Sequence, residues 1–311
     1  MKQSIIPFIA AGFILAACFA SNDPSKGVPG DKLAEIQARG TLIIATDADY
    51  MPQSKFLASE SPDPDTKCEP SQYTAAQMIG FDVEVGKEIA RRLGVEPCFV
   101  TPPWSQLVAG NWGDNWDIHV GSVAMTYERM KVLYFSQPYY ATPTVILIHK
   151  QNSISKTPED LSGKRIGVCA GCTFESYLLG TLQIPGQEIE YRIQNAQIIA
   201  YENEDPAIED LSLGDGVQLD AVMSILPKAL TAIEAGKPIK LMDEAVAFEY
   251  IGVTLDRSSR RDAARLLVEI TTFIQEMHST GLLKTLSIQY QGVDLTQEAA
   301  QFDITSLAQI P

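Results

Sequence analysis

The chain has 311 residues, 45% of them hydrophobic, and a formal net charge of -15 at neutral pH. Its 39 Asp and Glu against 24 Lys and Arg argue against a nucleic-acid partner, because affinity for a phosphate backbone comes from clustered Lys and Arg. The length suits about two domains, each large enough for its own core.

The N-terminus reads as an export signal. Lys2 is the only charge before an apolar run, Ile5 to Ala17, broken by Pro7 and Gly12. The run is shorter than the roughly 20 residues that cross a bilayer. A charged start, a short apolar core and small residues at its end mark a secretory leader, here residues 1–17. The run stops at Leu15-Ala16-Ala17-Cys18, which resembles the bacterial lipobox. That resemblance implies cleavage before Cys18 and diacylation of it, so that lipid holds an exported protein at a membrane. Residues 18–30, rich in Ser, Pro, Gly and Asp, read as a flexible tether. No later stretch is long and apolar enough to span a bilayer. Four cysteines remain beyond Cys18. Disulfides persist outside the cytoplasm, and four cysteines allow three pairings. Cys68 with Cys98 and Cys169 with Cys172 is the most local of them.

From Lys32 onward strands and helices alternate. Residues 31–36 form a helical entry, and Thr41 to Ala45 a compact apolar strand. Asp47 to Gln77, with Pro52, Pro62, Pro64 and Pro70, reads as loop. Phe81, Val85, Ile89 and Leu93 fall at helical spacing, with Gly94 placed as a C-terminal stop. Phe99-Val100 is a strand, Trp104 to Trp112 a helix, and Asp117 to Val123 a strand entering a loop. Pro138 to Thr144 reads as a turn region and Val145 to His149 as a buried strand. Pro158 to Leu161 is a single helical turn, Gly163 to Val168 a strand and Phe174 to Gly180 a helix. Asp220 to Met223 and Glu249 to Leu255 are strands. Leu266, Ile270, Phe273 and Met277 line one face of a long helix ending near Gly281. This alternation predicts α/β domains with parallel-rich sheets.

Several short segments in this order resemble the amino-acid-type family of ABC transporter solute-binding proteins. They include Gly80-Phe81-Asp82-Val83, Trp104-Ser105-Gln106-Leu107, Met125-Thr126-Tyr127-Glu128-Arg129, Phe135-Ser136-Gln137-Pro138-Tyr139-Tyr140 and Leu219-Asp220-Ala221-Val222. The similarity covers roughly residues 38 to 292. It implies a two-lobe, periplasmic-binding-protein-like fold of type II with two crossing hinge strands. Lobe one would take residues 31–145 and 250–311, and lobe two residues 146–249. The crossings would lie near Thr144 to Ile148 and Glu249 to Val253. The implied partners are a small carboxylate-bearing solute and membrane permease subunits, with the chain a monomer that needs no cofactor or metal.

The resemblance also assigns a site. Arg129 matches the residue that grips the solute carboxylate, for which a planar guanidinium fork is well shaped. Gly121 and Ser122 would offer backbone and hydroxyl contacts. Trp104 and Tyr50 would sandwich the solute, and Asp47 would approach its distal group. Across the cleft, Cys172 and Thr173 stand where the family usually has two hydroxyl residues, and only Thr173 keeps the hydroxyl. Ala124 stands where Thr or Ser is common. Ile225 stands where amino-acid binders carry the Asp that pairs with the α-ammonium. A buried ammonium without a partner is strongly disfavoured, so Ile225 points to an organic acid or a modified amino acid. An acidic loop holding Glu202, Glu204 and Asp205 is a possible substitute source of charge.

Cys169 and Cys172 are expected to form a structural disulfide, with a redox pair and a metal site as alternatives. A metal site wants four ligands, and His119, His149 and His278 do not cluster in sequence. One rival function is a dehydratase-like enzyme on the same fold, with Glu175 as its acid or base in the cleft. Another is a sensing subunit for a membrane receptor.

Overall fold

The structure, a computed structural model, describes residues 30–307. The expected leader, Cys18 and all of the tether except Gly30 lie outside the described residues.

Local chemistry starts and stops the helices. Asp31 caps α1 (Lys32–Arg39) by accepting from the Leu33 N–H at 3.1 Å. After β1 (Thr41–Ala45), the expected loop contains two short strands, β2 (Asp49–Tyr50) and β3 (Ser54–Phe56), and a third, β4 (Met78–Ile79), follows it directly. They form a small separate sheet. Their brevity gives no alternating pattern to read. Helix α2 (Phe81–Leu93) buries Phe81, Val85 and Ile89 and ends at Gly94, whose φ of 72° is left-handed. Each of those side chains contributes roughly 1.5–3 kcal/mol by leaving water. The Glu88–Arg92 pair on the same helix, at 2.7 Å, adds about 0.3–0.5 kcal/mol, so burial sets the orientation.

Strand β5 (Glu96–Val100) leads to α3 (Trp104–Ala109), which is shorter than expected. Gly110 turns the chain, and the Trp112 N–H donates to Asp256 at 2.6 Å instead of continuing the helix. Strand β6 is only Ile118–His119. The expected turn at 138–144 is instead part of β7 (Leu133–His149). Proline is tolerated in a strand where a ladder bond is not required. Pro138 and Pro143 precede Thr144, where pairing with the strand of lobe two begins, so each has a single neighbouring strand.

Lobe two follows with β8 (Arg165–Cys169), α4 (Thr173–Leu178), β9 (Gln197–Tyr201), α5 (Glu204–Ser212), β10 (Ala221–Ile225), α6 (Leu226–Glu234) and β11 (Ile239–Leu241). Strand β12 (Ala247–Asp256) returns to lobe one, which closes with α7 (Ala264–Ser279), α8 (Leu282–Gln291) and α9 (Gln297–Gln301). The main sheet runs β5-β1-β6-β12-β7-β10-β8-β9. Strands β1, β5 and β6 pair in parallel, as do β8, β9 and β10. The long antiparallel pair β7 and β12 joins the two halves.

Each half has its own core. Leu42, Ile44, Phe81, Ile89, Phe99 and Ile270 share one cluster. Ile146, Ile166, Val168, Phe174 and Met223 share another. Both expected disulfides are present, Cys68–Cys98 and Cys169–Cys172.

Candidate functional site

Parallel strands of both lobes end at one cleft, the usual location of a ligand in open α/β sheets. The cleft contains about 640 Å³ of space not filled by atoms, part of it open to solvent. All eight residues expected to hold a solute line it: Asp47, Tyr50, Trp104, Gly121, Ser122, Arg129, Cys172 and Thr173.

Arg129 begins a short 3-10 turn and is 8% exposed. Its Nη1 donates to the Ala124 carbonyl at 3.0 Å and its Nη2 to the Gly171 carbonyl of the other lobe at 3.1 Å. Of five guanidinium N–H groups, three therefore remain uncommitted among the described residues. The guanidinium lies 5.3 Å from the centre of the Trp104 ring. Burial lowers its pKa to about 10, with Glu249 opposing the shift, so it stays charged at neutral pH. Ala124 offers only its carbonyl here, and no hydroxyl.

The lobe-one floor is a hydrogen-bonded network around buried Asp82. The Ser122 hydroxyl and the Tyr139 hydroxyl each donate to Asp82 at 2.9 Å, and Tyr140 donates to Ser122 at 2.9 Å. Burial raises the Asp82 pKa to about 7, against the two hydroxyl donors. The Ser122 proton is thus already given away and its N–H donates to the Tyr139 hydroxyl at 3.4 Å, which leaves a hydroxyl lone pair for a solute. Beside it, a Cβ at Gly121 would come within 2.4 Å of His119 Nε2, so the approach requires glycine. His119 is buried, and burial with the nearby Arg129 charge lowers its pKa to about 3. It is therefore neutral. Asp47 accepts from the Asp49 N–H at 3.0 Å, so it both shapes a turn and faces the cleft.

Lobe two brings carboxylates that come from elements far apart in sequence. Glu204, first residue of α5, accepts from the Tyr50 hydroxyl at 2.8 Å and from the Ser224 hydroxyl. Burial raises its pKa to about 7, while Ser224, Lys228 and Tyr50 pull it down. Glu249, on β12, accepts from Thr144 at 2.8 Å and Thr173 at 2.5 Å. Burial raises its pKa too, against those hydroxyls and Arg129. Asp205 of the acidic loop instead pairs with Lys228 at 2.7 Å. Ile225 lines the cleft as an apolar surface.

Glu175 does not line the cleft, contrary to expectation. Its carboxylate accepts from the Gly171 N–H at 2.7 Å and braces the Cys169–Cys172 turn. Sequence reasoning missed Glu249 entirely, because it lies in an apolar hinge strand whose pairing supplies its partners. It also missed Ser54, another cleft residue, inside the stretch read as loop. Tyr50 to Glu204, Arg129 to Gly171, and the Tyr127 N–H to the Gln183 carbonyl at 3.1 Å join the lobes directly.

Residues 64–293 match the family described as bacterial extracellular solute-binding proteins, family 3. The L-cystine-binding protein of Escherichia coli K12 is 26% identical over 267 residues, covering 85% of this chain and 88% of its own length. The histidine-binding periplasmic protein of the same strain is 25% identical over 228 residues, covering 72% of this chain and 84% of its own. Among solved structures, an ancestral amino-acid-binding protein, a precursor of cyclohexadienyl dehydratase, is 26% identical. It superposes with a TM-score of 0.66, covering 84% of this chain and 99% of its own.

Proposed function

We propose that this chain, which belongs to the bacterial extracellular solute-binding proteins of family 3, captures a small carboxylate-bearing solute between its lobes and delivers it to an ABC permease. The observation that carries the carboxylate is Arg129: a buried guanidinium between the lobes, with uncommitted donors and Trp104 against its face. Buried charge of this kind is costly unless partnered, and a carboxylate is the partner that a guanidinium fork fits. Trp104 and Tyr50 supply flat apolar surface for the rest of the solute. Closure is a hinge motion about β7 and β12, and the chain itself catalyses no reaction. The dehydratase-like alternative rests on Glu175, which is bonded to Gly171 instead.

Calorimetric titration of purified, ligand-stripped protein tests this, using pairs of amino acids and their decarboxylated amines. Binding should require the carboxylate. An amine that binds as tightly as its parent acid would sink the reading.

We further propose that the exported chain is anchored by lipid on Cys18 and acts as a monomer at the cell envelope. Palmitate labelling of cells should mark the wild type and not Cys18→Ser. Equal labelling of both would remove the anchor.

A further inference from the structure

The two disulfides have different surroundings. Neither half of Cys68–Cys98 lines the cleft, and Cys98, in β5, is fully buried. Both halves of Cys169–Cys172 line the cleft. Cys169 ends β8 and is buried, whereas Cys172 caps α4 and is half-buried.

The second bridge encloses Ala170 and Gly171, both exposed. Ala170 is fixed at the strand end, where its N–H donates to the Tyr201 carbonyl at 2.8 Å. Gly171 has a left-handed φ of 73°. Its N–H donates to Glu175 at 2.7 Å in an exposed bond, and the Cys172 N–H reaches the Cys169 carbonyl at 3.3 Å. Exposed bonds of this kind compete with water, and an untied glycine has many other conformations open to it. The covalent link is therefore what limits where the Gly171 carbonyl points.

That carbonyl is a contact between the lobes, since it accepts from Arg129 Nη2 at 3.1 Å. Thr173, directly after Cys172, donates to Glu249 of the hinge strand β12 at 2.5 Å. The bridge thus stands between a bond across the cleft and a bond to the hinge.

We propose that Cys169–Cys172 is a redox switch on lobe closure: oxidised, it holds the Gly171 carbonyl within reach of Arg129, and reduced, it releases that carbonyl and shifts the lobes towards the open form. The reductant is a small dithiol that enters the cleft. One of its sulfurs, as thiolate, attacks Cys172 Sγ, and Cys169 leaves as a thiolate that takes a proton. The second sulfur of the reductant then displaces Cys172, which is protonated in turn, and the reductant departs as a cyclic disulfide. Two electrons and two protons pass from the dithiol to the bridge. The switch rests on the hinge closure described above and not on which solute is bound.

Hydrogen exchange in the full-length, ligand-free protein carrying nitrogen-labelled tyrosine tests this. The Tyr127 N–H donates to the Gln183 carbonyl across the lobes, so its protection follows closure. Tyr140, fully buried in β7, follows global unfolding. Dithiothreitol serves as the dithiol, and alkylation with peptide mass mapping shows which bridge has opened. Opening Cys169–Cys172 should speed exchange at Tyr127 about tenfold, the equivalent of one hydrogen bond to a charged group, and leave Tyr140 unchanged. Cys169→Ser combined with Cys172→Ser should exchange at the fast rate with or without dithiothreitol. Cys68→Ser combined with Cys98→Ser should respond as the wild type does. The switch is ruled out by any of four results: unchanged exchange at Tyr127 once the bridge is open, equal acceleration at Tyr127 and Tyr140, slow exchange in the cleft double variant, or a bridge that opens only on global unfolding. Capture of a carboxylate at Arg129 stands under each of them.

Discussion

On the lobe-one wall of the cleft, Arg129 is held mostly by near neighbours in the chain: its N–H bonds Thr126 and its Nη1 bonds Ala124, while Nη2 alone reaches the Gly171 carbonyl of the other lobe. On the lobe-two wall, Glu204 opens α5 but is held by Ser224 at the end of β10, and Glu249 in β12 is held by Thr144 in β7 and Thr173 in α4. The group proposed to grip a carboxylate is thus positioned mostly by a local motif. The buried carboxylates that line the cleft are positioned by tertiary pairing. Ile225 and Glu204 illustrate the second kind: the end of β10 is apolar, and the carboxylate beside it comes from α5.

The strongest way to break this comparison is at Arg129. Arg129→Met removes the only cation lining the cleft among the described residues and leaves Glu249 without the nearby positive charge that favours its ionised form. Affinity should fall by about 100-fold or more, in line with the several kcal/mol lost when one member of a buried charged pair is truncated. Arg129→Lys should still lose about tenfold, since a point charge cannot serve two carbonyls and a carboxylate together as a planar fork does. A wild-type affinity in the methionine variant, measured by calorimetry, would show that the lobe-one wall does not govern binding.

The same contrast explains how much was readable in the sequence. The core faces of α2 and α7 were legible because burial at helical spacing writes itself into the pattern, as at Phe81, Val85 and Ile89. The eight expected cleft residues were legible because each belongs to a local motif. Strand β7 was misread at Pro138 and Pro143, because proline signals a turn unless a hinge leaves the strand with one neighbour. Strand β9 went unread, since its exposed residues carry no clear alternation. Glu249 and Ser54 were invisible for a different reason: their environments are made by segments 76 and 105 residues away, or by strands too short to show a period.

The two disulfides sharpen the comparison by separating stability from binding. Cys68–Cys98 spans 30 residues of lobe one, and Cys169–Cys172 spans 3 in the lobe-two cleft loop. Loop-closure entropy gives about 3.5 kcal/mol for the first and about 1.5 kcal/mol for the second. Replacing Cys68 and Cys98 by serine should therefore cost more in denaturant unfolding and little in solute affinity. Replacing Cys169 and Cys172 should cost less stability but more affinity, because that loop carries the Gly171 carbonyl that receives Arg129. Equal losses of affinity in the two double variants would mean that the cleft loop does not need its bridge.

The smallest effect concerns pH, and it involves both walls. Asp82 and Glu204 have pKa values raised to about 7 by burial. Asp82 faces Tyr139, Tyr140, Ser122 and Asp47, and Glu204 faces Tyr50, Ser224, Lys228 and Glu249. An acid whose folded pKa lies above its unfolded value holds a proton that the unfolded chain has released, so stability falls as pH rises through the folded value. His119 and His278 have lowered values, so their contribution has the opposite sign below about pH 6.5. The two effects oppose one another between about pH 5 and 6.5, and only the acids act above that. Stability of the ligand-free protein should therefore drop by about 1–2 kcal/mol between pH 6.5 and 8. Thermal unfolding across this range should show a decline of a few degrees, about half of it absent in Glu204→Gln. A melting temperature that rises from pH 6.5 to 8 would mean that these two carboxyls do not titrate in that window, and that neither wall of the cleft stores its charge as a proton.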